Sequence, residues 1–103
     1  MTDRTVAFSP EALSQLVELQ RYIVAEASPA IAARYTDALV SFCERLSLFP
    51  FRGRARNDIR EGVRLTTFKS RTVVAYQVAD DAVTVIGVFH GGQEYDGPSR
   101  RGG

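Results

Sequence analysis

Residues 9–50 read SPEALSQLVELQRYIVAEASPAIAARYTDALVSFCERLSLFP, and this stretch decides the fold. It contains the Ser-Pro pair twice, as Ser9-Pro10 and as Ser28-Pro29. Serine is a favoured N-cap, and proline is tolerated at the first helical position because its missing N–H has no partner there, so each pair predicts a helix start. Only Ala27 and the second pair separate the two helices, which must therefore fold back as an antiparallel hairpin. We expect Pro50 to end the second helix.

Apolar residues recur at steps of three and four in both predicted helices, which indicates a buried face on each. In the first helix the positions are Leu13, Leu16, Val17, Gln20, Ile23 and Val24. In the second they are Ile31, Tyr35, Ala38, Leu39, Phe42, Cys43, Leu46 and Phe49. From these we expect a shared core of Leu16, Val17, Ile23, Leu39, Phe42 and Leu46.

Short β-type runs flank the hairpin on both sides. Residues 4–8 alternate and predict one strand, and residues 51–59 show no clear period and predict a loop. Three further runs, at 63–68, 72–78 and 82–89, are joined by connections short enough for hairpin turns. The last run is apolar on both faces, with Val83, Val85 and Phe89 expected on one and Ile86 and Val88 on the other, which favours an interior strand.

The order of elements is a strand, a helical hairpin and then a three-stranded antiparallel meander. The hairpin must bury its apolar stripe, and one face of the sheet is the surface available to it. We therefore predict an α+β two-layer fold. Residues 1–96 are expected to form a single domain, and the glycine-rich residues 97–103 a loosely held tail.

The cysteine and hydropathy patterns favour a cytoplasmic protein that does not enter a membrane. Cys43 is the only cysteine, so no disulfide forms within the chain. The first residues lack the apolar run of a signal peptide, and the longest apolar run falls far short of the ~20 residues that span a bilayer. A single His and a single Cys from separate elements do not make a zinc site, so we expect neither a metal nor a cofactor.

Basic charge is concentrated in one short segment. Residues 50–71 hold seven Arg and Lys against Asp58 and Glu61, a net charge of +5, whereas the whole chain carries +1. Three interpretations are open: a solvated face, a nucleic-acid site, or a groove for an acidic protein segment. Nucleic-acid sites combine basic residues with aromatic ones, and only Phe51 and Phe68 interleave here, so we favour the acidic protein segment.

His90 is the one imidazole of the sequence. Acid–base catalysis needs a partner and a nucleophile near it, and the sequence shows neither at a recognisable spacing. We therefore interpret His90 as a structural or partner-contacting residue. Cys43 lies on the apolar stripe of the second helix, where a thiol behaves as a small core side chain.

Over residues 4–96 the sequence resembles the ParE/RelE superfamily of type II toxins. The similarity rests on local patterns in a consistent order: FSPEA at 8–12, Pro50 with Gly53 and Arg54, DIREGVR at 58–64, VAYQV at 74–78 and VIGVFHG at 85–91. The long helical hairpin, the His-Gly step after the last strand and the scarcity of catalytic groups place the resemblance on the ParE branch.

This resemblance implies a toxin that binds and inhibits DNA gyrase, is neutralised by a ParD-like antitoxin in a hetero-oligomer, and meets DNA only through that antitoxin. On this interpretation there is no catalytic residue. The antitoxin's acids would meet Arg60, Arg64 and Arg71, and the possible target contacts are His90, Gln93 and Tyr95. The alternative is a RelE-like ribosome-dependent mRNA interferase using Arg64, Arg71 and Tyr95. Only fragments of the RelE basic cluster have counterparts here, because Thr66, Val73 and Gln93 stand where many relatives carry basic residues.

Overall fold

In a computed structural model, which describes residues 4–91, both helices begin at the predicted prolines. The elements are β1 (Thr5–Phe8), α1 (Pro10–Glu26), α2 (Pro29–Glu44), a 3-10 turn (Arg45–Ser47), β2 (Arg54–Ala55), β3 (Val63–Phe68), β4 (Thr72–Val78) and β5 (Ala82–His90). The sheet order is β1-β5-β4-β3-β2. The predicted α+β fold of a helical hairpin on an antiparallel meander is confirmed. The expected tail at 97–103 lies outside the described residues.

Each helix start is fixed by its own serine. Ser9 Oγ accepts a hydrogen bond from the Ala12 N–H at 3.0 Å, and Ser28 Oγ accepts one from the Ile31 N–H at 3.1 Å. Each satisfies a backbone donor that the first turn of a helix leaves without a partner, which stabilises by about 1 kcal/mol. The capping bond at each helix start therefore joins residues only three positions apart.

The end of α2 differs from the prediction. The helix stops at Glu44 rather than continuing to Pro50, and a 3-10 turn follows. Ser47 Oγ donates to the Glu44 carbonyl at 3.0 Å, a local bond that competes with continuation of the helix. The tight turn keeps Leu46 fully buried while the chain leaves the hairpin, so Phe49 is exposed instead of packed.

The sheet has one more strand than predicted, because Arg54 and Ala55 in the expected loop pair with β3. β1 pairs in parallel with β5, and the other pairs are antiparallel. β5 therefore lies between β1 and β4, as its apolar character on both faces predicted.

The predicted sides of β5 are correct only up to Val85. Tyr76 pairs with Val85, whereas its neighbour Ala75 pairs with Gly87, so Ile86 is an extra residue in a β-bulge. A bulge shifts the alternation by one residue. Val88 and His90 therefore share the helix-covered face with Val85, and Phe89 lies on the other face.

The core lies between the hairpin and this sheet face. Its buried members are Ala12, Leu19, Ile23, Ala32, Leu39, Phe42, Cys43, Leu46, Phe68, Val74, Tyr76, Val83, Val85 and Val88. Cys43 is fully buried as expected, and burial followed by the charge of Glu44 raises the pKa of its thiol to about 12. This thiol therefore stays protonated and unreactive.

The buried face of α1 is only partly the predicted one: Ile23 is buried and Leu16 packs against the core, as expected. Leu13, Val17 and Val24 are 39–51% exposed, and Leu19, which the predicted face omitted, is fully buried. α1 packs on β5 as well as on α2, and this selects the stripe through Ala12, Leu19 and Ile23. The remaining members of the expected stripe, Leu13, Val17, Gln20 and Val24, are exposed. Ile31 of α2 is likewise 45% exposed.

Candidate functional site

A cleft of about 320 Å³ lies where the end of β5 and the β3–β4 turn meet the helices. It is lined by Tyr22, Ile23, Glu26, Tyr35, Arg71 and His90. The lining combines two phenol rings, one cation and one carboxylate around the one imidazole. No serine, cysteine or lysine is among these lining residues.

The floor of the cleft is a chain of hydrogen bonds centred on the buried Thr72. Its hydroxyl lies 2.7 Å from the Tyr35 hydroxyl and 2.7 Å from His90 Nδ1. A hydroxyl has one proton to donate, so Thr72 donates to one neighbour and accepts from the other. With His90 neutral and Nδ1 as the acceptor, the order is Tyr35 to Thr72 to His90.

The surroundings of His90 favour the neutral imidazole. Burial, and secondarily the positive charge of Arg71, hold the pKa of His90 below its ordinary value of 6.5. Its ring packs edge-on against Tyr22 at 5.7 Å and Tyr35 at 5.5 Å between centroids. His90 is thus held by α1, α2 and β4 together, and its Nδ1 is already occupied by a hydroxyl.

Two features of the sheet place these groups side by side. The bulge at Ile86 turns His90 towards the helices. In the β3–β4 turn, Lys69 and Ser70 adopt left-handed conformations with φ of 53° and 61°, and the Arg71 N–H closes the turn on the Phe68 carbonyl at 3.2 Å. The turn sets Arg71 beside the end of β5, where its carbonyl accepts the Gly91 N–H at 2.6 Å.

The structure does not gather Arg60, Arg64 and Arg71 into one groove. Arg64 lies opposite Tyr76 near the end of β4, and Arg71 precedes Thr72 at its start. A strand rises ~3.3 Å per residue, so the backbones of Arg64 and Arg71 are roughly 16 Å apart along the strands. Arg60 precedes β3 at the far end of the hairpin from Arg71.

Arg64 is also engaged within the chain. Its guanidinium donates to the Gly53 carbonyl at 2.7 and 3.1 Å and to the Phe51 carbonyl at 3.1 Å. Gly53 fits this site closely, since a Cβ there would lie 2.5 Å from the Leu65 carbonyl oxygen. Arg64 therefore anchors the chain that leads into β2, whereas Arg60 and Arg71 are exposed.

The structure brings Thr72, Tyr35 and Tyr22 to His90, and sequence reasoning assigned none of them a role at this site. Alternation along β4 puts Thr72 on the face of Val74, but its contact with β5 depends on long-range pairing. Gln93 and Tyr95, the other possible target contacts, lie outside the described residues. Within residues 4–91, no group of three His, Cys, Asp or Glu is placed to hold a metal ion.

The family model for the ParE toxin of the type II toxin–antitoxin system parDE matches residues 6–95, which include both helices, the sheet and the cleft. The chain belongs to this ParE toxin family. It is thus a toxin of the type II class, and the predicted resemblance is confirmed. A comparison with curated protein sequences finds no match.

Two solved structures share the ParE-type fold. One is a chain of the chromosomal ParDE TA system from P. aeruginosa, with a TM-score of 0.73 and 16% identity over 85% of this chain and 96% of that one. The other is a chain of the toxin–antitoxin complex RelBE2 from Mycobacterium tuberculosis, with a TM-score of 0.61 and 27% identity over 86% and 99%. No helix within residues 4–91 has the length and hydropathy to cross a membrane.

Proposed function

We propose that this ParE-family toxin acts in the cytoplasm by binding and inhibiting DNA gyrase, without chemistry of its own. A ParD-like antitoxin neutralises it in a hetero-oligomer, and DNA is contacted only through that antitoxin. Membership of the ParE family and the likeness to a chain of the RelBE2 complex support an antitoxin partner. The net charge of +5 on residues 50–71 favours an acidic antitoxin segment.

The separation of Arg64 from Arg71 is the observation that carries the non-enzymatic proposal. An mRNA interferase built on Arg64, Arg71 and Tyr95 needs its cations together at one phosphate. Instead, Arg64 is bonded to the carbonyls of Gly53 and Phe51, on a different part of the hairpin from Arg71.

The state of His90 supports the same proposal. A general base must be free to take a proton from a nucleophile within hydrogen-bond reach. His90 Nδ1 is bonded to the hydroxyl of Thr72, which is fully buried and out of reach of a substrate, and the cleft lining supplies only two phenols as nucleophiles. A cleft of two tyrosines, Arg71 and Glu26 is suited to recognising a protein surface, because it offers apolar rings with charged groups of both signs.

Expression of the chain in a bacterial host tests the proposal. The expected result is early induction of a DNA-damage reporter, followed by inhibition of purified gyrase in a supercoiling assay. Arrest of protein synthesis before any DNA damage, together with ribosome-dependent mRNA cleavage by the purified chain, would overturn the proposal in favour of the interferase.

A further inference from the structure

Three large apolar side chains are exposed together after the 3-10 turn. Leu48 is 56% exposed, and Phe49 and Phe51 are each 60% exposed, while Pro50 between them is buried. Isolated exposed apolar residues are ordinary, but three large ones within four consecutive residues are typical of an interaction site. We name Leu48, Phe49 and Phe51, with Arg4 and Arg64, the Phe51 patch.

Two guanidinium groups lie over the ring of Phe51. The Cζ of Arg4 is 5.5 Å and that of Arg64 is 5.4 Å from the ring centroid. Each is held in place by backbone carbonyls: Arg4 Nε donates to Ala79 at 2.9 Å, and Arg64 donates to Gly53 and Phe51. Within residues 4–91 the terminal nitrogens of Arg4 and Nη1 of Arg64 form no further hydrogen bond, so they can donate to an external acceptor.

Neither arginine of the patch has a carboxylate partner in the described part of the chain. The ion pairs formed within residues 4–91 join Arg21 to Glu18 and Arg56 to Asp58. Positioned guanidinium groups with free donors are strong sites for a carboxylate, because the planar fork matches its two oxygens. The patch thus combines two preorganised cations with an apolar surface next to them.

We propose that the Phe51 patch is the docking site for the acidic segment of the antitoxin, with a carboxylate on Arg4 and Arg64 and an apolar side chain on Phe49 and Leu48. This proposal rests on the proposed function. It assigns different antitoxin contacts, because Arg4 and the exposed residues at 48–51 replace Arg60 and Arg71 as the principal ones. The patch lies at the β4–β5 turn, and β5 spans roughly 25 Å, so it is remote from the His90 cleft.

The geometry favours a protein segment over a nucleic acid. Single-stranded nucleic acids bind through bases that stack on the faces of aromatic rings. Arg4 and Arg64 lie over the ring of Phe51, where a stacked base would need open space. The exposed aliphatic side chain of Leu48 likewise suits an apolar side chain better than a base.

Selection from a random peptide display library on the full chain tests the proposal. We expect the selected peptides to be rich in Asp and Glu with an apolar residue between them. Fluorescence anisotropy of a selected peptide should show affinity reduced by roughly tenfold or more for Arg4→Gln and for Phe51→Ala. Arg34→Gln is the matched control: it removes an exposed cation of α2 outside the patch, so the affinity should not change.

Circular dichroism melts show whether Arg4→Gln disturbs folding. If it does, Phe51→Ala still tests the proposal, because the Phe51 ring is exposed and its loss should leave the fold intact. Selected peptides without excess acid, or peptides that bind Phe51→Ala as tightly as the parent, would overturn the proposal. So would displacement of the peptide by a single-stranded oligonucleotide in the parent but not in Phe51→Ala. None of these results bears on gyrase inhibition, which the expression test measures separately.

Discussion

The Oε1 atom of Gln15 in α1 accepts a hydrogen bond of 2.7 Å from the backbone N–H of Val88 in β5. β1 pairs with β5 only from Ala82 to Val85, so within residues 4–91 no strand pairs with the second half of β5 on that side. The side-chain amide of Gln15 therefore provides the hydrogen-bond acceptor for β5 beyond the end of β1. An open strand edge invites pairing with other chains, and this helix covers it.

Replacing Gln15 with Ala should lower the free energy of unfolding by ~1–3 kcal/mol, because it leaves the Val88 N–H without its partner. Urea titration measures the change. Gln20→Ala, at an exposed position of the same helix, is the control and should change the stability by less than about 0.5 kcal/mol. Equal effects of the two substitutions would show that the Gln15 bond is not important for stability.

Substitutions at Phe42 and Phe49 distinguish the observed end of α2, at Glu44, from the predicted end at Pro50. Phe42 is 7% exposed and packs on Phe68 at 5.2 Å between centroids, whereas Phe49 is 60% exposed. Phe42→Ala should cost ~3–5 kcal/mol of stability. Phe49→Ala should cost less than about 0.5 kcal/mol in the same urea titration. A large loss of stability for Phe49→Ala would instead favour the predicted helix, which continues to Pro50.

The lowered pKa of His90 predicts a stability that falls on acidification. Below pH 6.5 the unfolded chain binds a proton at this imidazole while the folded chain, with its lower pKa, does not, so unfolding becomes easier as the pH drops. Its cleft neighbours are Tyr22, Tyr35, Arg71 and Glu26, with Thr72 on Nδ1.

The variant His90→Asn tests this pH dependence, since its amide oxygen can replace Nδ1 as the acceptor but does not titrate. Urea midpoints measured from pH 7.5 downwards should decline less steeply than those of the parent just below 6.5. If the urea midpoints of the parent and of His90→Asn declined equally with pH, the folded state would bind a proton at His90 as readily as the unfolded state does.

Toxicity should be largely retained by His90→Asn and by Tyr95→Phe, because the proposed mechanism requires no acid–base pair and each substitution keeps a side chain that can still contact a protein target. Growth curves after induction, and gyrase inhibition by the purified variants, provide the measurement. If either change abolished mRNA cleavage shown by the parent on purified ribosomes, catalysis would replace protein binding as the mechanism.

The exposed arginines Arg60 and Arg71 should affect how fast the antitoxin binds more than how tightly. Exposed charges contribute about 1 kcal/mol or less and are screened by salt, but they steer association. The double variant Arg60→Gln, Arg71→Gln should bind several times more slowly at low salt, with a flatter salt dependence in stopped-flow mixing. Unchanged rates at low salt would contradict this role. By contrast, Arg4→Gln should mainly speed dissociation, because Arg4 is a positioned contact.

The sequence by itself determined the helix starts, the meander and the ParE-type fold. The serines that start the helices bond within three residues, and both meander turns are short, so these features depend on contacts that lie close together along the chain. Such contacts can be read directly from spacing and residue type.

Only the tertiary structure decided which face of α1 is buried, where α2 ends and which groups surround His90. Val17 and Leu19 are both apolar, and the packing of α1 on β5 selects Leu19. The bulge at Ile86 reverses the faces of Phe89 and His90, and it exists only in the pairing of β4 with β5. From the sequence Arg64 was expected to meet an antitoxin carboxylate, but in the fold its guanidinium donates hydrogen bonds to the carbonyls of Phe51 and Gly53. Each of these outcomes depends on contacts between segments that are distant in the chain, which local periodicity does not record.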